Sequence, residues 1–78
     1  MIRLDLRPGD GVRVDLPYAG EVILVDDVNL RRMRRGQRYE RYGGYYRRTP
    51  VVLRPQKGGR WYLVVNTGGR HRFRYQVV

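Results

Sequence analysis

Eight arginines fall in the eighteen residues from Arg31 to Arg48, interleaved with Tyr39, Tyr42, Tyr45 and Tyr46 and with the pair Gly43-Gly44. Arginine carries a planar fork that grips phosphate through two parallel hydrogen bonds and also stacks on rings. Tyrosine offers a face on which a base can lie. Together these are the ingredients of single-strand or RNA binding. The candidate binding residues are therefore Arg31, Arg32, Arg34, Arg35, Arg38, Arg41, Arg47 and Arg48, with Tyr42 and Tyr45 beside the double glycine. Arg70, Arg72 and Arg74 extend the set, since alternation along a final strand would align them on one face as a cationic stripe. The plainer reading is a solvated arginine face and half-buried strand tyrosines, favoured by β propensity. That reading is expected to hold for two of the four tyrosines.

The charge around this block is segregated. Residues 1–30 set Arg3, Arg7 and Arg13 against six acids, for a net −3; residues 31–48 oppose eight arginines with Glu40 alone, for +7; residues 49–78 add six cations and no acid, for +6. Such asymmetry points to an anionic partner, through the summed field rather than any one contact. Lysine occurs once, at Lys57, and serine not at all. A GC-rich genome would favour arginine over lysine in this way, but codon bias does not produce a positive net charge.

The inventory for catalysis is poor. With neither serine nor cysteine, the nucleophiles left for acyl transfer are Thr49, Thr67, Lys57 or a carboxylate. The single histidine, His71, can serve a small nuclease as general base, with Arg60 or Arg70 steadying the phosphate charge. It is also in phase with Phe73 and Tyr75, which favours a packed strand-end residue instead. Asp26-Asp27 offers carboxylate oxygens of the kind that hold Mg²⁺, yet neighbours on a strand point to opposite faces. Capping of a helix by Asp27 and ion pairing with nearby arginines fit better. The glycine pairs match neither a Walker loop nor a dinucleotide motif and read as hairpin turns. No catalytic residue, metal ligand or cofactor is assigned. Sequence-specific base reading has no support either, for there is no helix-turn-helix, zinc finger or RNP motif.

The elements that must position these side chains follow from period-two alternation. A chain of 78 residues has room for one domain spanning 1–78, with roughly 60% of its unfolded surface buried. Ile2, Leu4 and Leu6 form one run and Val12, Val14 and Leu16 another, and Pro8-Gly9-Asp10 between them suggests a hairpin in which exposed Arg3, Asp5, Arg13 and Asp15 pair across strands. Glu21 to Val25 is unbroken enough to be buried on both faces. Later strands are expected at 51–53, 61–65 and 70–78. Within the block, a loop or single helical turn near residues 28–35 is followed by two strands, 38–42 and 45–48, turning at Gly43-Gly44. The expected fold is all-β: a single small antiparallel β-sandwich or barrel of about six to eight short strands. No apolar run approaches the ~20 residues that span a bilayer, and Met1 to Asp5 lacks a signal peptide's apolar stretch. A soluble cytoplasmic protein is expected.

Several of these pieces occur together in a known pattern. Leu6-Arg7-Pro8-Gly9-Asp10 followed by Val12 to Leu16, then Val25-Asp26-Asp27 with Asn29, Arg35-Gly36, Tyr42-Gly43-Gly44, Pro50-Val51, and Gly59-Arg60-Trp61 leading to Gly68-Gly69 span nearly the whole chain. The sequence resembles the bacterial domain-of-unknown-function family numbered eighteen eighty-three. That resemblance implies a small, mostly β domain, found alone or fused to TIR-type signalling domains, with no established activity.

The leading expectation is a non-catalytic module that engages nucleic acid or another polyanion through the Arg31 to Arg48 surface. The alternative is a protein-interaction or small-nucleotide-sensing domain of a bacterial signalling or defence system, whose basic surface meets an acidic partner. A third possibility is self-assembly through an exposed strand edge.

Overall fold

Alternating apolar residues bury one face of a strand, and two such faces bury each other. A computed structural model describes residues 1–69 and 72–78. It contains β1 (Ile2–Leu6), β2 (Val12–Asp15), β3 (Gly20–Val25), α1 (Asp27–Arg34), β4 (Tyr42–Tyr46), β5 (Val51–Leu53), β6 (Gly59–Asn66) and β7 (Arg74–Val77). The strands make two antiparallel sheets, one ordered β1-β6-β3-β4 and the other β5-β2-β7. This is a sandwich that does not close into a barrel. Leu4, Leu6, Val22, Leu24, Trp61 and Leu63 from the first sheet meet Val12, Val14, Val51 and Leu53 from the second in one core.

The first two strands do not form the expected hairpin. β1 pairs with β6, setting Leu4 opposite Trp61, while β2 lies in the other sheet between β5 and β7. The turn chemistry was real: Gly9 has φ +88°, the Asp10 amide donates to the Arg7 carbonyl, and the Asp10 carboxylate accepts from the Arg7 amide, both at 2.9 Å. Its role is to cross from one sheet to the other, because Leu4 and Leu6 bury best when they face Val12 and Val14 rather than lie beside them. The surface charges accordingly pair along each strand, Arg3 with Asp5 at 4.0 Å and Arg13 with Asp15 at 3.5 Å, not across a hairpin.

β3 is central and buried on both faces, as its unbroken apolar run implied. Val22 and Leu24 face the sandwich core, whereas Ile23 and Val25 face a smaller cluster completed by Leu30 of α1, with Met33, Tyr39, Tyr62 and Val64 packed around it. That second cluster explains why α1 is a full two-turn helix rather than a loop or single turn. Eight residues are marginal alone, and burial of Leu30 supplies what propensity lacks. The N-cap is Asp26, not Asp27: its Oδ1 accepts from the Asn29 backbone and side-chain amides, each at 2.9 Å. At the other end Gly36, at φ +69°, donates to the Met33 carbonyl, and Gln37 donates to that of Arg32. This is a Schellman closure, and it needs a glycine at its left-handed position.

Gly43-Gly44 does not turn the chain. Residues 37–41 are irregular, and β4 runs straight through both glycines as an edge strand against β3. A Cβ on Gly43 would collide with the Val22 carbonyl oxygen and lie 3.1 Å from Leu53 Cδ1, so this glycine marks close approach of strands instead of reversal. The final strand is also shorter than expected. Arg72 and Phe73 precede it, Arg74 opens it, and the proposed three-arginine stripe is not on one strand; Arg70 and His71 lie outside the described residues.

Candidate functional site

The arginines divide among several elements. With Leu30 and Met33 turned toward the sheet, the helical repeat leaves Val28, Arg31, Arg32 and Arg35 on the outer face, all exposed. Arg34 is exposed at the helix edge and its Nη2 donates to Met1 Sδ at 3.7 Å. Three arginines in the last turn also suit the negative end of the helix dipole, a purely structural benefit of a few tenths of a kcal/mol each. Arg38 and Arg41 lie in the segment between α1 and β4, which is held by the Glu40 amide donating to Asn29 Oδ1 at 2.9 Å.

The carboxylates sit where they neutralise other cations. Asp5, Asp10 and Asp15 pair with Arg3, Arg7 and Arg13 of their own segments. Asp27 accepts from the Tyr62 hydroxyl at 2.7 Å and pairs with Arg60 at 3.9 Å. Asp26 is engaged as the cap. Among the described residues, the only ion pair of the block joins Arg41 to Glu21, at 3.0 Å. Arg31, Arg32, Arg34, Arg35, Arg38, Arg47 and Arg48 therefore present charge that no described carboxylate offsets.

The tyrosines separate into two pairs. Tyr39 and Tyr46 are half-buried, the first against the helix cluster and the second against the main core. Tyr42 and Tyr45 are 39% and 65% exposed. They stand on opposite faces of β4, for Tyr42 is registered with inward-facing Leu24 and Tyr45 with Glu21 on the helix side. Arg47 and Arg48 follow β4 in a turn held by Thr49, whose Oγ1 accepts from the Leu16 amide at 3.0 Å. That turn borders Leu16 to Ala19. Leu16 and Pro17 also line an open concavity of about 550 Å³, together with Asp15, Arg72, Phe73 and Arg74. The fold thus brings Arg47 and Arg48, and Arg72 and Arg74, to two hollows that share Leu16 and Pro17, and keeps them on different elements from the helix arginines.

A second feature was not read from the sequence. Three adjoining hollows, of about 210, 660 and 250 Å³, share Lys57 and Trp61. The largest is completed by Tyr42, Pro55 and Gln56. Trp61 is a core residue, 9% exposed, its Nε1 donating to the Lys57 carbonyl at 3.2 Å. What marks the recess is that the lone lysine, the indole edge and Tyr42 converge from three segments, a juxtaposition no local pattern encodes.

Among the described residues no group of three histidine or acidic side chains is placed to hold a metal ion, and no helix is long and apolar enough to cross a membrane. No curated protein and no solved structure matches the chain. The turn at Pro8-Gly9-Asp10, the capped Asp26-Asp27 helix start, the Gly43 approach and the tryptophan strand all lie inside residues 2–77, which match the model of a domain of unknown function, and the chain belongs to that family, DUF1883.

Proposed function

We propose that this domain is a non-catalytic binding module that engages nucleic acid or another polyanion, working in the cytoplasm. The observation that carries the reading is the distribution of charge. Six of the seven acids pair with Arg3, Arg7, Arg13, Arg41 and Arg60 or cap α1, while Arg31, Arg32, Arg34, Arg35, Arg38, Arg47 and Arg48 have no carboxylate partner among the described residues. Unpaired arginines bind phosphate without first surrendering a carboxylate partner, and the low desolvation of exposed guanidinium groups keeps that exchange favourable. The absence of serine and cysteine supports the non-catalytic half of the reading.

Binding of this kind is driven by counterion release and falls with salt. Contact with about five phosphates gives a log-log slope of about −4.5 on duplex DNA and about −3.5 on a single strand. Fluorescence anisotropy with labelled single-stranded RNA, single-stranded DNA and duplex DNA at two salt concentrations measures it. Changing Arg31, Arg32, Arg35 and Arg38 to Ala together should reduce both affinity and slope. An affinity indifferent to salt, or unaffected by these changes, would overturn the proposal. Preference for a short anionic peptide over every oligonucleotide would favour an acidic protein partner.

A further inference from the structure

We infer that the recess at Trp61 takes one unstacked nucleobase together with its phosphate. The inference rests on the reading of nucleic acid as partner and adds a site to it that the arginine surface lacks. The largest hollow, about 660 Å³, falls within the range of small-molecule sites, about 300–1,000 Å³. Its walls are the exposed Tyr42 ring, the Pro55 ring and the indole edge of Trp61, which are flat or apolar surfaces suited to a π face. Its polar groups are complementary to a nucleotide. Among the described residues neither the Gln56 amide nor the Lys57 ammonium has a side-chain partner, so one can read a base edge while the other meets a phosphate. The adjoining 210 Å³ hollow shares Tyr42, Lys57 and Trp61 with it and adds Asp26 and Glu40, the latter without an ion-pair partner among the described residues. Asp26, Asp27 and Glu40 repel a phosphate from the two adjoining hollows, so Lys57 meets it on the side of Pro55 and Gln56, where no acid lines the wall, and Glu40 is left to accept from a hydroxyl or amino group. Arg41 lines the same hollow and leads from the recess toward Arg38 and α1.

A nucleobase in this position cannot remain paired in a duplex, so the recess selects single strands or free nucleotides. Trp61 is the sole tryptophan, so tryptophan emission comes from a residue that lines the recess. The test titrates the protein with an oligodeoxyadenylate of about ten nucleotides, an abasic oligomer with the same number of phosphates, duplex DNA and deoxyadenosine monophosphate, following both affinity and Trp61 emission. The oligodeoxyadenylate is expected to quench Trp61 and to bind about 5- to 150-fold more tightly than the abasic oligomer. Tyr42→Ala should abolish that difference and Tyr42→Phe, which keeps the ring, should restore it. Equal binding of the two oligomers, or binding without any change in Trp61 emission, would overturn the recess while leaving the charged surface standing. Quenching by the mononucleotide when no oligomer binds would do the reverse, retaining the recess as a free-nucleotide site and removing the surface. Failure of all four ligands would remove both.

Discussion

Gly43 and Gly44 are adjacent and chemically identical, yet the fold asks different things of them. Gly43 sits at φ +116° with its missing Cβ aimed at the Val22 carbonyl oxygen and Leu53, whereas Gly44 has nothing within 4 Å of the corresponding position. A methyl group at Gly43 must push β4 away from β3 and strain the backbone as well. Gly43→Ala should therefore cost about 1–3 kcal/mol, and Gly44→Ala should stay within about 0.5 kcal/mol of the parent; urea denaturation of the two variants checks the contrast. Trp61 presents a different residue-level constraint. It fills the main core, faces Leu4 across the β1-β6 pair and exposes only 9% of its surface, so Trp61→Ala leaves a cavity the surrounding strands cannot close. A loss of about 3–5 kcal/mol is expected in the same assay.

The helix is where local sequence and tertiary contact meet. Asp26 accepts two hydrogen bonds from Asn29, and Asn29 in turn accepts from Glu40, so one cap holds both the start of α1 and the segment that returns to β4. Asp26→Ala should destabilise the protein by about 0.5–2 kcal/mol, and amide exchange should quicken first at Asn29 and Glu40. Uniform exchange with no change at those two amides would show the cap to be dispensable. Strand positions were legible in β1 and β2 from alternation, because burying one face imposes period two, and in β5 and β6 from the proline and glycine pairs that bound their apolar runs. Pairing was not legible: β1 finds its partner more than fifty residues away, and nothing in Ile2 to Leu6 distinguishes β6 from β2 as a neighbour. The double glycine misled for a related reason, since the same dipeptide permits a tight turn or a close approach, and only Val22 of the neighbouring strand and Leu53 of the opposite sheet decide between them. For the candidate site, composition exposed the arginine surface and the split of the four tyrosines into packed and exposed pairs. The recess stayed hidden because Tyr42, Lys57 and Trp61 are separated in sequence and become neighbours only when β4, the segment after β5, and β6 come together at one end of the sandwich.

Over the whole molecule, a net charge of +10 on 78 residues must be held together by a core that, among the described residues, contains no buried polar or charged side chain. Seven of the eight block arginines lack a described carboxylate partner, so they repel one another across the surface in the free protein. Exposed ion pairs such as Arg3–Asp5 and Arg13–Asp15 contribute at most about 1 kcal/mol each and weaken with salt, but like-charge repulsion over the remaining arginines is screened by the same ions. Between about 0.01 M and about 0.15 M salt the screening length contracts from about 30 Å to about 8 Å, which removes most of that repulsion. The net effect should be a Tm that rises over this interval, while polyanion affinity falls over the same interval for the same electrostatic reason. Changing Arg31, Arg32, Arg35 and Arg38 to Ala together should raise Tm at low salt and flatten its salt dependence, without loss of cooperative unfolding. A Tm that instead declines steadily with salt in the parent protein would mean that the ion pairs outweigh the repulsion, and that the arginines of α1 are balanced within the fold instead of being held ready for an anionic partner.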